Sequence, residues 1–247
     1  MPRMLRLERL DPYETFAASL RASRHALGLA YEEAWKASDR CNELQETVLQ
    51  EQVGDPDPFE MAGFPSLRQP RADVEDLDRM WVQAYAEDMH ADHQAGVVLL
   101  FADDALQRLA KGALGLRAAP GIKTAFGREY SGVRVTALLK AGTNAIRHAS
   151  EWDEELRIPY PQPQERTSRQ RQQMESIEVL QRVLGVGIWE PIREAHSWKI
   201  LSLLDGKYGT EDPDFARVES AVVGAAKEIA LSAGPDGEER LNAALYG

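Results

Sequence analysis

Apolar residues recurring at helical spacing through two very long tracts constrain this chain more than any other feature. The first tract opens at Asp11-Pro12, where aspartate can cap a helix and proline suits its first turn. It runs to about Gln52, with Phe16, Leu20, Leu27, Tyr31, Trp35, Leu44 and Val48 as apolar points. Gly28 is its one interior weakness, and Val53-Gly54-Asp55-Pro56-Asp57-Pro58 stops it. After a Pro- and Gly-containing loop to about Pro70, the second tract starts at Ala72 or Asp73 and reaches about Leu114. Leu77, Trp81, Ala84 and Tyr85 form its first stripe, and Val97-Val98-Leu99-Leu100-Phe101 is apolar all round, as in a buried helix. Helices of this length rely on tertiary contacts for stability. Joined by one loop, the two are expected to pack as an antiparallel pair.

The remainder reads as shorter helices. Gly115 to Gly132 is irregular, with room for one helical turn, and a helix follows from about Val133 to Trp152. Ile158 to Pro163 is a proline-stiffened connector. Ser168 to Leu184 is helical and ends at Gly185-Val186-Gly187. Ile188 to Leu204 forms another helix with Pro191 in its first turn, Asp212-Pro213 opens one reaching about Ala233, and a short terminal helix follows Pro235. No strand and no repeat of fixed period is apparent. The expectation is an all-α helical bundle spanning residues 1–247 as one domain, divisible into a long helix pair (1–115) and a C-terminal group of shorter helices (116–247).

Composition narrows the function classes. A formal net charge of -11 and a pI near 5.0 argue against a protein that coats nucleic acid, because phosphate binding needs clustered Lys and Arg, although a local basic patch is compatible with both. Cys41 is the single cysteine, so no internal disulfide or Cys-pair zinc site is available; its place in a helical pattern reads as packing. The longest apolar run, Ala95 to Ala102, is far short of a membrane span, and the N-terminus has no secretory apolar stretch. A cytoplasmic protein with no membrane association is the expectation. Gly185-Val186-Gly187 lacks the third glycine of a dinucleotide loop, and neither a P-loop nor a Gly-x-Ser-x-Gly elbow occurs.

The helix from Val133 to Trp152 carries the most chemistry. At about 100° per residue, Val135, Leu138, Leu139, Gly142, Ala145, Ile146, Ala149 and Trp152 share one broad arc. Lys140, Asn144, Arg147, His148 and Glu151 fall together on the other side. A cation, an amide, a guanidinium, an imidazole and a carboxylate thus share one face, a set suited to acid–base work on a phosphodiester. His148 can move protons near neutral pH. Arg147 or Lys140 can hold a phosphate and its developing charge, Asn144 can orient a phosphate or ribose hydroxyl, and Glu151 can set an imidazole tautomer. The plainer alternative is a solvated face on which Arg147 and Lys140 pair with Glu151 and Glu154.

The segment Asn144-Ala145-Ile146-Arg147-His148-Ala149-Ser150-Glu151-Trp152 resembles an Asn-x-x-[Lys/Arg]-His-x-x-Glu-Trp pattern of bacterial proteins. It also resembles a variant of the HEPN superfamily, compact helical proteins of toxin–antitoxin, CRISPR and other defence systems. Many members are metal-independent RNases that act as dimers, with an Arg four to six residues ahead of a His. The resemblance makes His148 the matching histidine and Asn144 the polar residue that often follows the arginine. The arginine itself is absent, because Thr143 stands five residues before His148. Ser176-Ile177-Glu178-Val179-Leu180 and Leu184-Gly185 fit the same bacterial pattern. What the resemblance implies is an RNA endonuclease, or an inactive relative, working as a homodimer with RNA as substrate and a partner protein from a defence or toxin–antitoxin module. It calls for no cofactor.

Two other readings stand beside it. A non-enzymatic helical interaction or assembly protein would use the long helices, with the Lys140–Glu151 face as an ion-paired interface. A metal-dependent helical-bundle enzyme would use Glu87, His90 and His93, since Glu87-x-x-His90 has di-iron bundle spacing but lacks a second copy in the chain. Arg166, Arg169 and Arg171, and Arg3, Arg6 and Arg9, are the basic candidates for an RNA track. Trp189, Pro191, His196 and Trp198 form an aromatic segment expected to be core.

Overall fold

In the computed structural model, the residues described are 11–53, 74–116, 125–156, 164, 166–185, 196–206 and 214–247. Asp11 caps the first helix, its Oδ1 accepting from the Tyr13 N–H at 2.8 Å and the Glu14 N–H at 3.4 Å. That helix, α1, runs Pro12–Val53, and α2 runs Val74–Ala113. A Cβ at Gly112 would lie 2.7 Å from Pro12, while Arg40 meets Glu87. Numbers on α2 therefore fall as those on α1 rise, and the pair is antiparallel, as the two tracts required.

A short hairpin breaks the helical pattern. β1 (Glu129–Tyr130) and β2 (Val133–Arg134) pair antiparallel with Tyr130 opposite Val133. Ser131 (φ 50°) and Gly132 (φ 74°) make the tight connection, both in the left-handed region that a two-residue hairpin turn demands. The sequence was expected to hold no strand; with two residues per strand, no alternation exists to be read. The hairpin feeds directly into α3, Val135–Leu156, and Thr136 Oγ1 accepts from the Phe126 N–H at 2.7 Å at its start.

Four helices complete the described fold: α4 (Ser168–Leu184), α5 (Ser197–Asp205), α6 (Phe215–Ala233) and α7 (Gly237–Tyr246). Thr167 and Gln170 close a reciprocal capping box on α4, and Gly185, at φ 67°, ends it. Asp214 caps α6 through the Ala216 N–H, and the Asp212-Pro213 pair lies outside the described residues. The loop to Pro70, the Ile158–Pro163 connector and the Ile188 helix start with Pro191 lie outside the described residues. The architecture is all-α apart from the hairpin. One contiguous apolar core runs from Tyr13 on α1 through Leu99, Leu138, Ile177, Ile200 and Ile229 to Leu241 on α7. No described helix is long and apolar enough to cross a membrane.

α3 is the centre of this arrangement. From Val135 to Ala145 every residue is buried except Lys140 and Asn144, which are half-buried. The apolar arc of this stretch is buried, and the two polar-arc residues are its half-buried exceptions. Thr136, Ala137, Ala141 and Thr143, which belong to neither arc, are buried as well. Gly142 shows why the packing is so close: a Cβ there would sit 2.8 Å from Ile200 Cδ1 and 3.4 Å from Leu99 Cδ1. α5 and α2 both press against the helix where it has no side chain.

Candidate functional site

Because several elements pack on α3, its polar residues face different neighbours. On the α2 side lies Asp103, a carboxylate only 3% exposed. Thr143, fully buried, donates its hydroxyl to Asp103 Oδ2 at 2.9 Å, and Gln107 Nε2 donates to Oδ1 at 3.2 Å. Lys140 Nζ stands 3.8 Å from Asp103 Oδ2. Buried charge persists only with such partners. Lys140, half-buried, thus makes a long ion pair with a structural carboxylate.

On the α4 side, Asn144 Nδ2 donates to Ser176 Oγ at 2.9 Å, and that hydroxyl in turn donates to the Gln172 carbonyl at 3.2 Å. One turn on, half-buried His148 joins Asn144, Arg169, Gln172 and Gln173 around a cleft of about 260 Å³. Arg147 is exposed and is not part of that lining. Glu151 and Trp152 continue α3, but their side chains are outside the described ones. The four residues of that face with described side chains thus separate: Lys140 turns to α2, Asn144 and His148 to α4, and Arg147 to solvent.

Arg169 is the residue whose role the sequence left least clear. It stood among three arginines at a helix start, beside Arg166 and Arg171, and only the docking of α4 on α3 brings it to His148. A signal was present: Arg169, Gln172, Gln173 and Ser176 follow i, i+3, i+4, i+7 and form one polar strip. Which helix that strip faces is tertiary information. Arg171 Nε instead donates to the Arg166 carbonyl at 3.2 Å, and Arg3, Arg6 and Arg9 are outside the described residues. Asp103 also had a signal, a carboxylate in register with buried Leu99, Ala102, Leu106 and Ala110 on α2.

The other candidates find structural partners. Arg40 Nε and Nη2 hold Glu87 Oε2 at 3.0 and 2.8 Å, while His90 and His93 are exposed on the same helix. Among the described residues, no three His, Cys, Asp or Glu side chains gather to hold a metal ion. Asp92, between those histidines, accepts from the Trp198 N–H at 2.9 Å and so caps α5. Trp198, half-buried, packs on the core edge-on to Trp35 at 5.3 Å and against Tyr31 at 6.2 Å; Trp189 lies outside the described residues. His196 precedes α5 at φ 49°. Burial, reinforced by Asp88 and Glu87, pushes the Cys41 thiol up, as befits a packing residue.

No protein-family model, curated protein or solved structure matches the chain.

Proposed function

We propose that the cleft between α3 and α4 binds RNA and cleaves its phosphodiester bond, as a HEPN-like endonuclease would. One observation carries this reading: His148 and Arg169 reach the same small cleft from two helices, beside an Asn144 held in place by Ser176. His148 takes the proton of a ribose 2′-hydroxyl, whose oxygen attacks the adjacent phosphorus. The bond from phosphorus to the 5′-oxygen breaks, leaving a 2′,3′-cyclic phosphate, and the departing oxygen takes up a proton. Arg169 places a guanidinium against the phosphate oxygens, filling the part that Thr143 does not. The described lining offers imidazole, guanidinium and amides but no carboxylate, a poor set for magnesium, which favours carboxylate and phosphate oxygens. The homodimer and the defence or toxin–antitoxin partner belong to this reading through the resemblance. The test is cleavage of mixed RNA in EDTA. His148→Ala should lower the rate by about a hundredfold or more. Absence of cleavage, or equal cleavage by both proteins, sinks the reading.

A second reading, a non-enzymatic assembly protein, draws on the outer face of α2. Val74, Trp81, Val82, Tyr85 and Met89 are all exposed there, at helical spacing. On that reading a second copy covers the stripe, and Val82→Glu with Tyr85→Glu turns a dimer into a monomer in sedimentation. An unchanged mass refutes it.

A further inference from the structure

The cavity among the hairpin, the end of α5 and the first half of α6 shares no described residue with the cleft between α3 and α4. Its volume is about 470 Å³, inside the range of roughly 300–1,000 Å³ typical of small-ligand sites. We propose that it binds a small linear molecule with a carboxylate at each end. Arg217 holds one end and Arg128 the other, and the apolar middle lies over Leu203, Ala221 and Gly224.

The two arginines are rooted at opposite ends of the cavity. Arg217 stands in the first turn of α6. Arg128 follows Gly127, whose N–H donates to Glu228 Oε2 at 2.8 Å and where a Cβ would lie 2.8 Å from Ala225. The hairpin is thus tied to α6 beside Ala225, eight residues beyond Arg217 and about 12 Å further along the helix. Each guanidinium also keeps to its own element. Arg217 Nε is 3.8 Å from Asp214, the residue that caps α6. The Arg128 guanidinium sits 5.6 Å from the centre of the Tyr130 ring in the hairpin, and no carboxylate among the described residues pairs with it. Both arginines are exposed as well as lining the cavity, so a solute can reach them. The Asp214 pair is long and half-exposed and gives way to a ligand carboxylate, which a guanidinium fork meets with two N–H groups. Ser220, three residues on from Arg217, adds a hydroxyl on the same side. Asp205, the one acid of the described lining, is only 3% exposed and accepts from the Tyr31 hydroxyl at 2.6 Å, so that oxygen serves α1 and not the ligand. Between the arginines, Leu203, Ala221 and Gly224 offer no polar side chain, a surface for methylene groups. Glycine inside a helix is unfavourable, yet a Cβ at Gly224 would meet nothing within 4 Å, so crowding does not require it. What its missing side chain does is keep the slot beside Ala221 and Leu203 open.

Titration calorimetry on the full chain tests this with adipate and suberate, two dicarboxylates of different length, against octanoate, which has one carboxylate, and sulfate, which has no apolar middle. The better dicarboxylate should bind at least about tenfold more tightly than octanoate or sulfate. Arg217→Ala and Arg128→Ala, both exposed changes that leave the core intact, should each weaken it about tenfold or more, down to the level of octanoate. Gly224→Met fills the slot and should abolish binding without lowering the melting temperature, because methionine is the better helix former. His148→Ala should leave the affinity unchanged, so this result stands apart from that of the RNA assay. The proposal is overturned if neither dicarboxylate gives heat at millimolar concentration, or if octanoate or sulfate binds as tightly. It is overturned too if either arginine variant still prefers the dicarboxylate to octanoate, or if Gly224→Met binds as the wild type does.

Discussion

At the scale of single residues, the meaning of the candidate site turns on Thr143. An arginine ahead of His148 is what the resemblance calls for, and Thr143 stands in that place because the position is core: fully buried, with its hydroxyl on Asp103. Thr143→Val keeps the shape and removes the hydroxyl, leaving Asp103 short of a partner. It should cost about 1–3 kcal/mol in urea unfolding. Thr143→Arg would not restore a site; forcing a guanidinium into that space should cost about 3 kcal/mol or more. An arginine variant as stable as the wild type would show that position 143 reaches solvent.

Asp11 gives a pH dependence of definite sign. Burial alone would raise its carboxyl, but the Tyr13 N–H, the Arg240 side chain and the Glu14 N–H together hold it below the ordinary value. A carboxyl with a lowered folded pKa adds stability above its unfolded pKa and loses it as pH falls through the folded one. Asp11→Ala should therefore cost about 1 kcal/mol near neutrality, the usual cost of losing a cap. The gap between variant and wild type should narrow on acidification from about pH 6 to about pH 3. A gap that widens on acidification would contradict the assignment.

At the scale of elements, what was legible in the sequence was whatever is decided locally. The 3.6-residue period, Asp11-Pro12 and Gly185 mark helix ends within a few residues of where they fall, and Ser168–Leu184 agrees at both ends. The hairpin was illegible because its strands are too short to alternate. The partners of α3's polar residues were illegible for a different reason. A wheel sorts residues by type, but α3 is central, and Lys140, Thr143 and Asn144 are buried or half-buried against polar partners on α2 and α4 that no local pattern names. α4 owes its defined start to Thr167, whose Oγ1 accepts from the Gln170 N–H at 3.2 Å. Thr167→Ala should cost about 1 kcal/mol and, by fraying the turn that carries Arg169, should lower RNA cleavage more than it lowers stability at the assay temperature. Lost stability with undiminished cleavage would separate the cap from the site.

At the scale of the whole molecule, the long pair α1–α2 is a wall on which the shorter helices are laid, and α3 is clasped between α2 and α4. That clasp creates the cleft. It draws His148 from one helix and Arg169 from another, some twenty positions apart in sequence, so the site exists only in the folded chain. It also distinguishes the two arginines near the histidine. Both are exposed, but Arg169 lines the cleft and Arg147, adjacent to His148 in sequence, does not. The most direct test is the single-turnover rate of RNA cleavage in EDTA for Arg169→Ala and Arg147→Ala, each against wild type. Loss of a guanidinium that meets the reacting phosphate should lower the rate by about a hundredfold for Arg169→Ala, with less than about a threefold change for Arg147→Ala, whose rim contact is screened by solvent. The reverse order, with Arg147 essential and Arg169 dispensable, would contradict the placement of the site between α3 and α4.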